Sequence, residues 1–281
     1  MALTLPITLA VLFGALLHAS WNAMVRRGGD RLLDLALVAL GASVLAAPLL
    51  PFVVPPARAS WPFLAASSLI HVGYYATLAG TYRHAELSIG YPLMRGSAPL
   101  LVTLAGLAWF GERPTPATAL GIALICLGVA SLAFAGRQRA PIAPALRFAW
   151  ANAAMIAAYT LVDAAGARAA GSVLGYVLWM FFLEGLPFAA IVVARRGAAS
   201  VAGALRSRWR VALGGGGCSA LSYGIAVWAM TEAPVGAVAA LRETSVVFAL
   251  GIGALLLKER PAPRALAGVA AVLAGAVVLR G

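Results

Sequence analysis

The stretch Arg95–Leu132 reads RGSAPLLVTLAGLAWFGERPTPATALGIALICLGVASL, and it decides how the rest of the chain is organised. It starts with an arginine in an apolar run, passes through a charged, proline-rich knot, and ends in an apolar run interrupted by glycine. The pattern begins again 147 residues later, where Arg95 aligns with Arg242 and Glu112-Arg113-Pro114 with Glu259-Arg260-Pro261. Without gaps, 10 of the 38 positions are identical. Because most of these are glycine, proline or charged residues, we interpret the pattern as an internal duplication.

The composition is that of an integral membrane protein. Of the 281 residues, 62% are hydrophobic and only 11% are charged, against about 25% charged in a soluble domain. The net charge of +12 does not indicate nucleic-acid binding, because most arginines lie in connectors between apolar runs, where they meet lipid headgroups. The two cysteines, Cys126 and Cys218, lie inside apolar runs without CxxC or metal-ligand spacing, so we expect no metal and no cofactor.

Ten segments are long and apolar enough to cross a bilayer, which takes about 20 residues each. They divide the chain into a first five-helix repeat at 1–135, a linker at 136–145 and a second five-helix repeat at 146–281. An odd number of helices per repeat inverts the second repeat in the membrane. The predicted fold is therefore all-α, with ten transmembrane helices as two inverted five-helix repeats around a central cavity. The predicted spans are 4–25, 32–54, 61–82, 86–110, 115–135, 146–166, 173–194, 209–231, 234–257 and 262–280.

The distribution of arginine and lysine predicts the orientation. Connectors after the odd-numbered spans, with the helix ends beside them, carry fifteen of these residues, whereas those after the even-numbered spans, together with both termini, carry four. Positive residues accumulate on the cytoplasmic side of a membrane. Both termini are therefore predicted to lie outside the cytoplasm.

Two arginines lie deep inside predicted spans, far from the ends, where a charge needs a reason. Arg95 lies about nine residues into its span, or roughly 13 Å of helical rise, and Arg242 lies at a similar depth. One interpretation is that both offer a bidentate fork to a substrate carboxylate or phosphate. The alternative is a structural ion pair with an acid inside the bundle, for which Glu243, Glu184 and Asp163 are available.

Other polar and aromatic residues share helical faces inside the predicted spans, so we expect them to surround the cavity. Three- and four-residue spacings place them together. His18 and His71 are candidates for carrying coupling protons, with a hydrogen-bonded core histidine as the alternative. Tyrosine and tryptophan offer a pocket with apolar walls and polar tips, or an interfacial belt. Besides the two arginines, the candidate substrate-binding residues are His18, Trp21, Asn22, His71, Tyr75, Tyr91, Tyr159, Asp163, Tyr223 and Trp228.

The fifth and tenth predicted spans lack polar residues in their middles and instead carry glycines at helical spacing. Gly121 and Gly128 align with Gly268 and Gly275 in the repeat. Small residues allow helices to approach closely. These spans are expected to form a packed support or a dimer seam, so the protein is predicted to be a monomer or a homodimer through spans five and ten.

These residues resemble a known family. Ten spans in two repeats, each with a Glu-Arg-Pro-x-Pro knot between its fourth and fifth helices, resemble the EamA branch of the drug/metabolite transporter superfamily. The run Leu17–Ala23, LHASWNA, is similar to a first-helix motif of a subset of that branch. The resemblance implies a central cavity that opens alternately to each side, and its studied members include YddG-type amino acid exporters. The four-helix multidrug members couple transport to protons through a glutamate in the first helix. The first helix of this chain has no glutamate, which argues against antiport of cationic drugs by that route.

The expected function is therefore a secondary transporter that exports small amino acid-like metabolites, including aromatic or hydrophobic amino acids. The resemblance implies that it lies in a bacterial inner membrane. The substrate would lie in the cavity with its carboxylate on the arginines. Alternatives are transport of phosphorylated or phosphonate metabolites and a role as an accessory membrane subunit. An enzyme is not expected, because the sequence has no G-x-S-x-G or H-E-x-x-H motif. The sequence also has no nucleotide-binding loop of the G-x-x-x-x-G-K-[ST] type, so transport driven by ATP would need another chain.

Overall fold

The computed structural model describes residues 3–26, 31–84, 87–134, 142–256, 258 and 262–280. Within these ranges the chain forms helices and connecting turns and contains no strand, so the all-α prediction is confirmed. The α-helices are α1 (Leu5–Arg26), α2 (Arg31–Ala46), α3 (Trp61–His84), α4 (Leu87–Phe110), α5 (Pro116–Ser131), α6 (Ile142–Ala169), α7 (Val173–Arg196), α8 (Ala198–Ser207), α9 (Gly216–Glu232), α10 (Val235–Arg242), α11 (Ser245–Leu256) and α12 (Pro263–Val278).

Seven stretches of the described chain are long and apolar enough to cross a membrane. The apolar helices α5 and α12 are shorter, at 16 residues each. Helix α3 has 24 residues but is not among these candidates, and polar residues such as Ser67, His71 and Thr77 are spread along it. The seven membrane-spanning candidates are Leu5–Val25, Leu33–Phe52, Gly90–Phe110, Leu146–Ala169, Val173–Arg196, Val211–Glu232 and Val235–Leu255.

The structure interrupts the ninth predicted span, which was expected as one helix over 234–257. Helix α10 ends at Arg242 and α11 begins at Ser245. Between them the amides of Glu243 and Thr244 donate to carbonyls only three residues back, and the Thr244 hydroxyl donates to the Leu241 carbonyl at 2.7 Å. A hydroxyl that bonds the backbone locally competes with the helical ladder.

One predicted connector is helical, and another lies partly outside the described residues. The segment between the seventh and eighth predicted spans folds into the short helix α8, which is exposed along most of its length. Of the predicted linker 136–145, residues 136–141 lie outside the described residues, and α6 begins at Ile142. The second knot, Glu259-Arg260-Pro261, also lies outside them.

The first knot forms a tight turn between α4 and α5. Gly111 has a φ of +68°, which favours glycine, and it reverses the chain after Phe110. Thr115 then caps α5 by accepting a hydrogen bond from the Thr118 amide at 3.1 Å, and Pro116 occupies the first helical turn. The capping explains why the helix begins at this proline.

Helices α5 and α12 pack against each other within one chain through the glycines that the repeat aligns. A methyl group added to Gly128 would lie 2.7 Å from the Gly268 carbonyl oxygen, and one added to Gly121 would lie 3.0 Å from the Gly275 carbonyl oxygen. Only glycine permits this approach of two backbones. The predicted packed support therefore exists inside the protomer, while the homodimer stays a prediction.

Other helix pairs place the cavity between the two halves of the chain. Helix α6 packs on α3 and α4, α1 packs on α9 and α11, and α2 packs on α7. Each of these contacts joins a helix of the first half to one of the second. The space enclosed by α1–α4 and the helices α6, α7, α9 and α10 is the candidate site.

Candidate functional site

A cavity of about 120 Å³ lies between the two halves of the chain. Ten of the twelve predicted site residues line it. Helices α2 and α7, which carry none of the predicted site residues, contribute to the lining as well. The lining residues are His18, Trp21, Asn22, Leu35, Val38, Ala39, Ala42, His71, Tyr74, Tyr75, Leu78, Tyr91, Arg95, Tyr159, Phe181, Glu184, Gly185, Ser219, Tyr223 and Arg242.

Arg95 on α4 is neutralised by Glu243, which follows the end of α10. The Arg95 Nε donates to the Glu243 Oε2 at 2.9 Å, and the two side chains are 7% and 4% exposed. The Arg95 Nη2 is buried without a hydrogen-bond partner and so retains a donor. Arg95 therefore lines the cavity as half of a buried ion pair, which is the structural alternative weighed for it.

Arg242 is the other cationic side chain on the cavity. It is half-buried at the end of α10, and its guanidinium carbon lies 4.8 Å from the centre of the Tyr223 ring. Among the described residues it has no carboxylate within ion-pair distance. The neighbouring Glu243 turns to Arg95 instead, so Arg242 keeps its hydrogen-bond donors for another acceptor.

His71 on α3 and Glu184 on α7 meet on the cavity wall. The His71 Nε2 lies 3.2 Å from the Glu184 Oε1, and its Nδ1 lies 2.9 Å from the Ser67 carbonyl oxygen. The imidazole stacks on the Tyr159 ring with centroids 4.2 Å apart. The second carboxylate oxygen of Glu184, Oε2, is buried and has no hydrogen-bond partner. This pair thus brings an acid and an unsatisfied acceptor to the cavity.

Asp163 lies behind the cavity wall and not on it. It is fully buried and accepts hydrogen bonds from the hydroxyls of Tyr176 at 3.1 Å and Tyr223 at 2.7 Å. Because both bonds go to protein side chains, Asp163 positions Tyr223 beneath Arg242. Its place differs from the predicted one among the lining residues.

The first-helix residues His18, Trp21 and Asn22 share one face of α1, as their spacing predicts. The His18 and Trp21 rings meet edge to face at 5.1 Å, and the Asn22 side chain donates to the His18 carbonyl at 2.8 Å. The Trp21 Nε1 is buried without an acceptor. This face offers aromatic surface and one unused donor.

The tyrosines on the cavity form a continuous aromatic wall. Tyr75 stacks on Phe188 at 3.7 Å, and Tyr159 contacts both Tyr74 and Tyr223 edge to face at 5.8 Å. Tyr91 lines the cavity from α4. Trp228 is not part of this wall: it is 38% exposed on α9, five residues beyond Tyr223 and outside the cavity lining. Five residues turn a helix well past one full turn, which points the side chain elsewhere.

A polar network ties the two halves together beside the first knot. Arg168, at the end of α6, pairs with the Glu112 Oε1 at 2.7 Å and donates twice to the Met230 carbonyl, at 2.7 and 3.0 Å. The Glu112 Oε2 accepts from the Val235 amide at 2.7 Å. Arg168 also lies over the Phe110 ring at 4.5 Å. We call these contacts the Glu112–Arg168 latch, because they join the ends of α4, α6 and α9 to the start of α10.

Three acidic residues matter more than the sequence indicated. From the sequence, Glu184 and Glu243 are interpreted only as possible partners for an arginine, and Glu112 only as part of the charged, proline-rich knot. Their positions in the sequence could have indicated a role, because Glu184 and Glu243 lie within predicted spans, where burying an acid costs free energy. Within the described ranges no group of three His, Cys, Asp or Glu side chains is arranged to hold a metal ion.

Comparisons with known proteins identify part of the chain. No curated protein sequence matches it. A solved crystal structure shares its fold with a TM-score of 0.71 and 19% identity, over 97% of this chain and 96% of that chain. The model of the EamA-like transporter family matches residues 144–281. The protein is therefore an integral membrane protein that carries an EamA-like transporter family domain, the kind of domain found in membrane transporters of small molecules.

Proposed function

We propose that this protein is a secondary transporter that exports small amino acid-like metabolites by alternating access. The observation that carries the proposal is the pairing of functional groups on one cavity. Arg242 offers a guanidinium with no carboxylate partner among the described residues, and Glu184 offers a carboxylate oxygen with no hydrogen-bond partner. An α-amino acid carries the two complementary charges, a carboxylate for the first and an ammonium group for the second.

The charges on the cavity favour a zwitterion over a doubly charged anion. Arg95 is already neutralised by Glu243, so it does not add a second free cation next to Arg242. A phosphate or phosphonate dianion carries two negative charges, whereas among the described cavity residues Arg242 alone offers a guanidinium without a carboxylate partner. Transport of phosphorylated metabolites is therefore the weaker alternative.

The side-chain end of the substrate would contact the aromatic and apolar part of the wall. Tyr75, Tyr91 and Tyr159 provide rings, and the α2 residues Leu35 and Val38 provide an apolar surface without charge. Ligand pockets combine such walls with a few polar groups that fix orientation. This lining supports aromatic or hydrophobic amino acids as the substrate class.

Two features support alternating access. In the predicted repeat, α1, α3 and α4 of the first half correspond to α6, α9 and α11 of the second. The contact of α3 with α6 then has its counterpart in the contact of α9 with α1, and the contact of α4 with α6 in that of α11 with α1. That is the packing expected of two inverted repeats. The Glu112–Arg168 latch ties the halves at one end of the bundle, so one side is closed while it holds. The proposed direction of transport, out of the cytoplasm, and the proposed location in a bacterial inner membrane are both based on the family resemblance.

Flux measurements on purified protein in proteoliposomes test the proposal. Vesicles with the wild-type protein are expected to take up labelled L-phenylalanine or L-leucine saturably and to ignore glucose 6-phosphate. Loss of a charge-assisted hydrogen bond costs about 1.5–3 kcal/mol, so Arg242→Ala is expected to lower the flux about 10- to 100-fold. Arg58→Ala, which removes an exposed arginine from a connector, is the matched control and is expected to retain wild-type flux.

Two results would contradict the proposal. Uptake of glucose 6-phosphate without uptake of either amino acid would favour the phosphorylated-metabolite alternative. Amino acid flux that is equal in Arg242→Ala and Arg58→Ala would show that the cavity guanidinium does not bind the carboxylate.

A further inference from the structure

The hydrogen-bond geometry of His71 fixes where its protons lie. The Nδ1 is 2.9 Å from the Ser67 carbonyl oxygen, which can only accept a hydrogen bond. The Nδ1 therefore carries a hydrogen. The Ser67 hydroxyl, 3.3 Å from the same nitrogen, is farther away and can rotate to accept or to point elsewhere. In a neutral imidazole protonated at Nδ1, the Nε2 has a lone pair and no hydrogen.

The contact between His71 and Glu184 then needs one more proton. The His71 Nε2 and the Glu184 Oε1 are 3.2 Å apart. A lone pair facing an ionised carboxylate oxygen has no hydrogen to share and is repulsive. The contact is favourable only when a proton lies between the two atoms, either as an imidazolium facing a carboxylate or as a neutral imidazole facing a carboxylic acid. The pair therefore holds one exchangeable proton in the state described.

That proton lies on the cavity and away from bulk water. The side chains of His71 and Glu184 are 8% and 13% exposed, and both residues line the cavity. On α2, the residues that face it are apolar, and Asp34 at the start of that helix is paired with Arg208. The other titratable or charged groups around the site are Tyr74 and Tyr75 on α3, Tyr159 and Asp163 on α6, Tyr176 on α7, Tyr223 on α9, Arg95 and Tyr91 on α4, His18 on α1, and Arg242 with Glu243 at the α10 break.

We propose that the His71–Glu184 pair is a proton site that couples transport to the proton gradient, with one proton exchanged for each substrate molecule. The inference rests on the proposed function, because it assigns the substrate's ammonium group to Glu184. When that group binds the carboxylate, the shared proton leaves to water, His71 stays neutral, and the ammonium supplies the positive charge. When substrate leaves, a proton from the opposite compartment returns to the pair. Exchange of a zwitterion for a proton moves one positive charge per cycle.

Two assays on intact protein separate coupling from transport itself. The first measures counterflow of labelled against unlabelled L-phenylalanine without a pH gradient. The second imposes a gradient with the acidic side opposite to the labelled substrate, and follows vesicle pH with a trapped dye. Wild-type protein is expected to show counterflow, faster accumulation of L-phenylalanine under the gradient, and dye-detected proton movement with a ratio near one proton per substrate.

Variants of the pair should lose the gradient effect. Glu184→Gln is expected to lose proton movement and to bind L-phenylalanine at least tenfold more weakly. His71→Gln retains the Glu184 carboxylate but loses the imidazole from the cavity wall, so whatever flux remains is expected to respond less than twofold to the gradient. Glu232→Gln, an exposed glutamate at the end of α9, is the matched control and should behave as wild type.

The outcomes distinguish failure of this inference from failure of the proposed function. Wild-type counterflow of L-phenylalanine with no proton movement and no response to the gradient would overturn the proton site and leave amino acid transport intact. A His71→Gln protein that counterflows and still follows the gradient like wild type would overturn it as well. Wild-type protein with no counterflow of either L-phenylalanine or L-leucine would instead refute the proposed function.

Discussion

The ion pair between Arg95 and Glu243 predicts a large and specific loss of stability when its acid is neutralised. The Nε–Oε2 distance is 2.9 Å and both side chains are less than 10% exposed. At an effective dielectric constant of about 20, two unit charges at this distance attract by roughly 6 kcal/mol, and desolvation opposes much of that gain. Removing one partner leaves the other charge buried and unpaired, which costs about 3–5 kcal/mol. We expect Glu243→Gln to fall near the lower figure, because the amide oxygen still accepts from the Arg95 Nε.

A double-mutant cycle isolates the pair. Arg95→Gln/Glu243→Gln removes both charges and is expected to be more stable than Glu243→Gln alone, although it carries one more substitution. Glu232→Gln removes an exposed acid and should change stability by less than about 0.5 kcal/mol. Unfolding of the detergent-solubilised protein by SDS, followed by tryptophan fluorescence, gives the free energies. If Glu243→Gln were as stable as Glu232→Gln, the argument that an unpaired buried guanidinium destabilises this bundle would be refuted.

Two further predictions concern helix packing and the latch. Gly128→Ala places a methyl group 2.7 Å from a backbone oxygen of α12 and should lower the free energy of unfolding in SDS by about 1–3 kcal/mol. The control is Gly251→Ala, whose methyl group meets open space and should not lower that free energy. Equal effects of the two substitutions would contradict the packing argument. Arg168→Gln removes the ion pair to Glu112 and should raise the rate of amide hydrogen exchange at the start of α10 at least tenfold. Arg113→Gln, which changes an exposed neighbour in the knot, is the control. An unchanged exchange rate in Arg168→Gln would mean that the latch does not hold that end closed.

Much of the helical framework could be predicted because it follows from local rules. A bilayer requires long apolar segments, and the chain has them separated by short polar connectors. The helical spacing of His18, Trp21 and Asn22 predicts a shared face, and the structure puts that face on the cavity. Ten of the twelve candidate residues line it, because polar groups in a membrane protein turn away from lipid.

The pairing of charges could not be predicted in the same way. Glu243 is adjacent to Arg242 in the sequence, but adjacent residues on a helix point about 100° apart. The turn at Glu243 and Thr244 directs the carboxylate to Arg95, which is distant in sequence. The place of Glu184 depends equally on how α7 packs against α3, and no local pattern in the sequence encodes that contact.

The proposed preference for a zwitterion depends on a difference between two positions that the sequence repeat aligns. Gly96 follows Arg95 as Glu243 follows Arg242. In the first repeat no acid fits there, because a methyl group on Gly96 would lie 2.9 Å from the Ala130 amide nitrogen and the Cys126 carbonyl oxygen. In the second repeat the break after α10 makes room for Glu243, which reaches across to Arg95. One of the two equivalent arginines is thereby neutralised while Arg242 stays available. Two free guanidiniums would suit a dianion, whereas one free guanidinium on a cavity that also carries the acid Glu184 suits a molecule with one charge of each sign.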